Sequence, residues 1–416
     1  MTSTSGPAGR DGTADEPPEP TGFRWYLRSS LPLSWLAKDF MPALEYLRET
    51  EQMPVVNIRR GWLHGAHLEV IANSHDGRPV PWPQVIVRLR APREETSVPY
   101  AEEGYLSRAR ELGRLEQQPG PYLPYRPHGT FEWLATSDLQ RWPGSAQLLR
   151  ERALTWMFDS LAVTLALGGA ASSGEADPLT MVAEIMLAVA DAHPLRIPHG
   201  AFFYRSLAEA FLRRSLPAAD PLAEFRRGLA GDASTLQPLV KRMLAGGDTR
   251  SSASWRRTAA YCMGLFDSAV LASELTPRAL DEMSDTPGVA LPAGIGEQPP
   301  GWLPSYQLLL NLLYAQLPLL GVSPSQYYYL CWALAEIVDD VTGLARRSAR
   351  LLDRRGICEV GLCGDMQGLK VQGSIARIAS IIAIPILFGR YGSAVGGGRS
   401  RRGGGSGPVP HRAGKF

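Results

Sequence analysis

The chain has 416 residues, 44% of them hydrophobic, and carries 43 Lys and Arg against 41 Asp and Glu for a formal net charge of +2. Such a chain can bury a substantial core in one large domain or two ordinary ones, and the near balance of charge argues against a nucleic-acid binder with a uniformly basic surface. Four cysteines (Cys262, Cys331, Cys358 and Cys363) are too few and too scattered for a disulfide scaffold.

Residues 1–21 are rich in Ser, Thr, Gly, Pro and acids without apolar periodicity, and are expected to be disordered. They lack the apolar core of a secretory signal, so a cytoplasmic setting is expected. Short strands are predicted at residues 23–27, 54–58, 67–72, 85–89 and 129–134, and a helix at 36–50 with Leu36, Phe40, Leu44 and Leu47 on one face. Residues 100–116 have helical spacing, broken by Gln118-Pro119-Gly120-Pro121. The remainder reads as helices over 146–167, 178–192, 200–214, 236–244, 254–272, 306–317 and 323–351, the last opened by Ser323 in N-cap position and Pro324 in the first turn. The expected fold class is therefore α+β: an N-terminal mixed sheet with a predominantly helical remainder, in a single large domain over residues 22–352.

Residues 353–416 are Gly- and Arg-rich and are expected to form a disordered, solvated basic tail. The most apolar run, residues 378–388, is shorter than the roughly 20 residues a bilayer requires and contains Pro385, so no membrane span is expected. Cys358 and Cys363 have no histidine pair or second cysteine pair nearby, so no metal site is expected either.

Three places concentrate chemistry. The first is the run from Asn57 to Glu69, where Arg59, Arg60, Trp62, His64 and His67 surround a glycine turn between two strands. Strand alternation aims Arg59 or Arg60 together with His67 at one face. Like charge disfavours protonation of a histidine among arginines, so the imidazole is expected to stay neutral and serve as a general base while the guanidiniums hold an anion or polarise a carbonyl. Surface ion pairs for the arginines and turn-capping for the histidines explain the same residues without chemistry. The second place is the helix containing Tyr204 and Arg205, with Glu209 four residues on for an internal ion pair. The third is the apolar helix carrying Ser305, Tyr306, Asn311 and Tyr314, whose polar groups either bind a substrate amide or satisfy one another in the core. Phosphate-binding and dinucleotide-binding glycine loops and the Gly-x-Ser-x-Gly elbow are absent from the sequence, which argues against nucleotide-dependent chemistry.

The order of these elements resembles the thiopeptide-type bacteriocin biosynthesis family, related to the C-terminal domain of lantibiotic dehydratases. The resemblance rests on the run from Arg59 to Val70, on Leu112-Gly113-Arg114-Leu115-Glu116 followed by Tyr125-Arg126-Pro127-His128-Gly129-Thr130, on the stretch from Phe203 to Leu212, and on that from Asn311 to Val322. It implies a fold like the lantibiotic dehydratase elimination domain, a ribosomally made precursor peptide with a leader as partner alongside other maturation enzymes, and no cofactor. Members of the family either eliminate glutamate from glutamylated Ser or Thr, or condense two dehydroalanines into the central six-membered ring of a thiopeptide. The eliminating members carry a histidine beside an asparagine-arginine pair on the late helix, whereas here the stretch from Leu308 to Pro318 has neither histidine nor arginine. The resemblance therefore implies a pyridine synthase ahead of a glutamate lyase, and either ahead of a non-enzymatic leader-binding module. On this reading His67, Arg59, Arg60 and Tyr314 are the expected catalytic residues, and Trp62, His64, Tyr204, Arg205, Ser305, Tyr306 and Asn311 the expected substrate-binding ones. Arg88 and Arg90 are expected to lie near a sheet edge that receives the leader.

Overall fold

The computed structural model describes residues 20–27, 31–74, 78–90, 102–115, 118–135, 146–170, 177–214, 220–275 and 302–343. Of the segments expected to be disordered, 1–21 and 353–416, residues 1–19 and 353–416 lie outside them, whereas Thr21 is tied to the sheet, its N–H donating to Leu134 O at 2.9 Å.

Four strands, β1 (Gly22–Tyr26), β2 (Val55–Gly61), β3 (His67–Asn73) and β4 (Phe131–Leu134), pair in the order β2-β3-β1-β4, and every pairing is antiparallel. The register sorts side chains by the two-residue period of a strand. Ile58, Val70 and Phe23 are paired in one row and belong to the core; Arg59, Glu69, Arg24 and Glu132 are paired in the next and face the other way. Between β2 and β3 the chain turns through His64 (φ +63°) and Gly65 (φ +132°), with the Gly65 N–H donating to Trp62 O at 3.1 Å. Gly65 adopts a conformation that a Cβ disfavours, and the Tyr26 and Tyr125 rings close over it.

Helices α1 (Leu33–Trp35) and α2 (Met41–Glu49) are joined by a π-helical turn over Leu36–Phe40. Leu36, Phe40, Leu44 and Leu47 pack beneath the sheet, as the helical spacing predicts. The expected strand at residues 85–89 is instead the end of a short helix, α3 (Trp82–Ile86). Pro83 in its first turn favours a helix start, and Trp82 and Val85 gain burial on one side of it. A short apolar run carries no period by which to tell the two structures apart. Arg88 and Arg90 therefore lie off the sheet, and the Arg88 guanidinium stacks 3.8 Å from the Tyr46 ring centroid.

After α4 (Glu102–Leu115) and β4, the described elements are helical: α5 (Ala146–Ala170), α6 (Pro178–Ala190), α7 (Arg196–Arg214), α8 (Pro221–Leu244), α9 (Arg250–Leu271), α10 (Trp302–Gln316) and α11 (Pro324–Thr342). The starts are chemically marked. Asp177 accepts from the N–H groups of Leu179 and Thr180, and Thr249 with Ser252 and Ser323 with Gln326 form reciprocal capping boxes. Gly343 (φ +64°) ends α11 earlier than the periodicity alone predicts. The α8 helix starts 15 residues before the expected Leu236 and runs through Pro238.

Helix α6 is buried on all sides from Val182 to Ala190 except at Glu184 and forms the axis of the helical layer. At its end Gly200 of α7 lies so close to the Ala190 backbone that a Cβ there would overlap it. Helices α5 and α9 are joined by a buried hydroxyl series: Ser160 Oγ lies 3.0 Å from Ser254 Oγ and 2.8 Å from Thr258 Oγ1, and Thr164 Oγ1 accepts from Trp255 Nε1 at 2.9 Å. Gln316 at the end of α10 donates to Ile58 O of β2 at 3.2 Å, fastening the helical layer to the sheet. All the described elements belong to one compact unit.

Thr164→Val keeps the shape of the side chain but strands the Trp255 indole N–H in the core. It is expected to lower unfolding stability by about 1–3 kcal/mol, measured by denaturant titration.

Candidate functional site

The charged row on the outward face of the sheet is internally committed. Glu69, 1% exposed, is held from one side by Arg59 and from the other by Arg24, whose Nε lies 2.9 Å from Glu69 Oε2. Burial alone would raise its pKa, but the two guanidiniums, Arg59 foremost, hold the carboxyl below its usual range. Beside it the Tyr26 hydroxyl donates to Glu132 Oε2 at 3.0 Å and Arg126 Nε lies 2.6 Å from Glu132 Oε1. Burial, followed by the Glu132 charge, pushes the Tyr26 phenol up to about 12.

His67 shares this face with Arg59, and Arg60 alternates to the other. The His67 Nδ1 lies 2.8 Å from Gly65 O, which makes Nδ1 the protonated nitrogen, and its ring packs 5.0 Å from that of Tyr26 and over Gly61. The imidazole is neutral, as expected, but for a different reason. Burial is the main cause of a pKa pushed down to about 4, the Glu69 charge opposes it, and Arg24 and Arg59 contribute least. Burial and then Arg108 lower the Arg60 pKa. The Trp62 ring lies 5.9 Å from that of Tyr122, and His64 O accepts from the Arg126 N–H at 2.8 Å.

The remaining expected site residues lie in the helical layer, from which strand alternation turns Arg59 and His67 away. Tyr204 is fully buried and donates to Met186 O at 2.7 Å. Arg205 reaches across to α11, 3.1 Å from Glu336 and paired with Asp339, while Glu209 lies 3.6 Å from Arg213. The Tyr314 ring packs 5.0 Å from Tyr327, at the contact between α10 and α11, and Asn311 is half-buried on α10. Ser305 and Tyr306 are completely buried at the start of α10.

Around Tyr306 stands a cluster that the sequence reading missed. His193, in the connection between α6 and α7, is 2% exposed, with its ring 5.1 Å from Tyr306, 4.5 Å from Trp302, 5.6 Å from Phe203 and 6.0 Å from His199. The connection is tightly held. Arg196 has φ +66°, its N–H donates to His193 O at 2.7 Å, and Asp191 lies 3.0 Å from Arg196 Nε and 2.9 Å from Arg256 Nη1. A non-glycine residue at positive φ is the kind of local strain that surrounding structure must hold in place. The only signal in the sequence was Ala192-His193-Pro194, which marks a break between helices and says nothing of what the imidazole meets.

The His193 Nδ1 accepts from the Leu195 N–H at 3.1 Å, so the ring proton sits on Nε2. Burial, then the neighbouring His199, pushes its pKa down to about 3. Among the described residues, His193 Nε2, Trp302 Nε1 and Ser305 Oγ are buried without a hydrogen-bond partner, while the Tyr306 hydroxyl meets that of Tyr204. Most buried polar atoms find partners, so three orphans in one cluster call for a ligand or a function.

Two expectations test the electrostatics. Glu69→Ala leaves two half-buried guanidiniums facing each other and is expected to destabilise the protein by about 3–5 kcal/mol, read from denaturant unfolding. Between pH 6.5 and 4.5 the unfolded chain takes up protons that the folded His67 and His193 refuse, so stability falls as pH falls, by up to about 1.4 kcal/mol per pH unit for each imidazole. Thermal unfolding across that window should show a shallower slope for His67→Gln than for the wild type.

Among the described residues no group of three or more His, Cys, Asp and Glu is placed to hold a metal ion, and no helix is long and apolar enough to cross a membrane. Cys358 and Cys363 lie outside those residues. No protein-family model matches the chain, and no curated protein matches it by sequence. Solved structures do. The chain is similar to TsrL, at 15% identity with a TM-score of 0.50, over 78% of this chain and 95% of that one. It is similar also to a pyridine synthase, TbtD, from thiomuracin biosynthesis, at 19% identity with a TM-score of 0.58, over 78% of this chain and 98% of that one. The chain thus has the fold of the thiomuracin pyridine synthase TbtD, the architecture that its order of motifs led us to expect.

Proposed function

We propose that this protein is a thiopeptide maturation enzyme. It joins two dehydroalanines of a leader-bearing, azole-containing precursor peptide by formal four-plus-two cycloaddition, forming the central pyridine and the macrocycle with loss of water and leader. The observation that carries the proposal is the cluster of buried His193, Ser305 and Tyr306 with half-buried Phe203 and Trp302 at the start of α10, set in a fold shared with a pyridine synthase.

The chemistry suits that group. One peptide amide must tautomerise to an azadiene, two distant residues must be held together, and water and leader must then leave, none of which requires electron transfer or a cofactor. Positioning and oriented dipoles in a water-excluded setting dominate such a reaction. Aromatic walls supply stacking surface for azoles, and the unpartnered N–H and O–H groups supply dipoles. We assign the substrate side to this cluster with Tyr204 behind it, and the Arg59-Glu69-Arg24 row to the integrity of the sheet. His67, with a pKa near 4, is too weak a base to take a proton efficiently near neutrality.

The late helix lacks a histidine in sequence, but His193 arrives beside it from another element, so glutamate elimination is the second reading to be tested. Purified full-length protein is to be incubated with a dehydrated, azole-bearing precursor and with a glutamylated one, and each followed by mass. Loss of leader plus water from the first is the expected result. Loss of glutamate from the second instead establishes elimination, and no mass change on either, with leader binding retained, overturns both enzyme readings.

A further inference from the structure

The three unpartnered atoms, on His193, Trp302 and Ser305, have a common character: each carries a proton to give. The Leu195 N–H occupies His193 Nδ1 and so fixes the hydrogen on Nε2. Trp302 Nε1 can only donate. Burial keeps the proton on the Tyr306 phenol, whose hydroxyl is hydrogen-bonded to that of Tyr204, and the Tyr204 hydroxyl donates to Met186 O, so this pair closes the inner end of the cluster. Ser305 Oγ adds a third donor from the preceding residue of α10. Among the described residues, the nearby Arg196 and Arg256 are paired with Asp191 behind the loop and not with this group. A neutral cluster rich in N–H and O–H donors suits a neutral oxygen acceptor better than a carboxylate or phosphate, which would require a compensating charge on burial.

We propose that His193, Trp302 and Ser305, with Tyr306 behind them, form a receiving site for one amide carbonyl oxygen of the peptide substrate, with His193 acting as an Nε2–H donor. The role rests on the ring-forming reading above and goes beyond it by naming the atom that is bound and the group that binds it. As an amide tautomerises to an azadiene its nitrogen loses a proton and its oxygen gains electron density and then a hydrogen. Fixed donors aimed at that oxygen stabilise the change without having to reorganise. A neutral imidazole is suited to the task, since an imidazolium would be costly at this depth and would transfer its proton instead of sharing it. Half-buried Phe203, His199 and Trp302 form the outer wall, the side on which a peptide meets the cluster.

Single-atom deletions test this. Trp302→Phe, Ser305→Ala and Tyr306→Phe each remove one donor while keeping the framework, and His193→Asn retains an N–H that His193→Phe lacks. Trp302 Nε1 and Ser305 Oγ have no partner in the resting protein, so the thermal midpoints of Trp302→Phe and Ser305→Ala should stay level or rise, whereas His193→Phe also removes the acceptor of the Leu195 N–H and is read against His193→Asn. Leader-peptide affinity should be unchanged, whereas turnover of the dehydroalanine-bearing azole peptide should fall by about 10-fold to 1,000-fold, with His193→Asn less impaired than His193→Phe. Wild-type turnover in both His193→Phe and Trp302→Phe overturns the proposal, as does a loss of turnover matched by an equal loss of stability in all of the variants.

A binding readout separates this inference from the functional one. In ring-nitrogen NMR spectra of the full-length protein, a His193 Nε2–H signal, assigned by its disappearance in His193→Asn, should shift on addition of an unreactive azole-bearing peptide with Ser in place of dehydroalanine. No shift at saturating peptide removes the receiving site whether or not the enzyme forms a ring. A shift in a protein that forms no ring leaves the site standing and removes the cycloaddition.

Discussion

The buried carboxylate of Glu69, gripped by Arg24 and Arg59, is the constraint from which the rest of the arrangement follows. A charge at 1% exposure is tolerable only when both guanidiniums reach it, and both do so only in one pairing of β2, β3 and β1. A slip by one residue would turn the three charges toward the helices and Ile58, Val70 and Phe23 toward solvent. The same register brings Ile58 O to Gln316 and so fixes the end of α10 against the sheet. From that anchor α10 runs back to Tyr306, Ser305 and Trp302, which meet His193.

The other side of the cluster is set by the close approach of α6 and α7. Gly200 admits the Ala190 backbone, the short connection must reverse within a few residues, and Asp191 pins Arg196 and Arg256 around it. His193 is thereby driven inward instead of into solvent, with one nitrogen occupied by its own backbone and the other aimed among aromatic rings. Desolvation and tautomer are both consequences of this backbone path, and they make the imidazole a donor instead of a base. The two histidines expected or found to matter illustrate the same physics from opposite ends: His67 is protonated on Nδ1 by a carbonyl partner, His193 on Nε2 by an N–H partner.

Much of the fold was legible because its signals are local. Apolar residues at helical spacing located α5, α6, α7, α9 and α10, and Ser323-Pro324 marked the start of α11 through capping chemistry that needs no tertiary partner. Glycines and alternating residues likewise announced β2 and β3 around their turn. Residues 85–89 were misread because a five-residue apolar run lacks a period, and burial of Trp82 and Val85 decided for the helix. Ser305, Tyr306 and Tyr204 stood out as polar atoms within apolar helices, which is a sequence property.

What the sequence determined by itself was therefore the set of elements, the polar residues that interrupt their apolar faces, and the family resemblance that their order carries. Which of those polar residues meet was decided by the tertiary structure alone. Strand alternation separates Arg59 from Arg60 and turns the Arg-His cluster outward, where Glu69 and Glu132 satisfy it. The imidazole that meets Trp302 and Tyr306 comes from a loop more than a hundred residues earlier, brought to them by helix packing. The proton state of His193 follows from desolvation and one backbone N–H, and neither exists before the chain has folded.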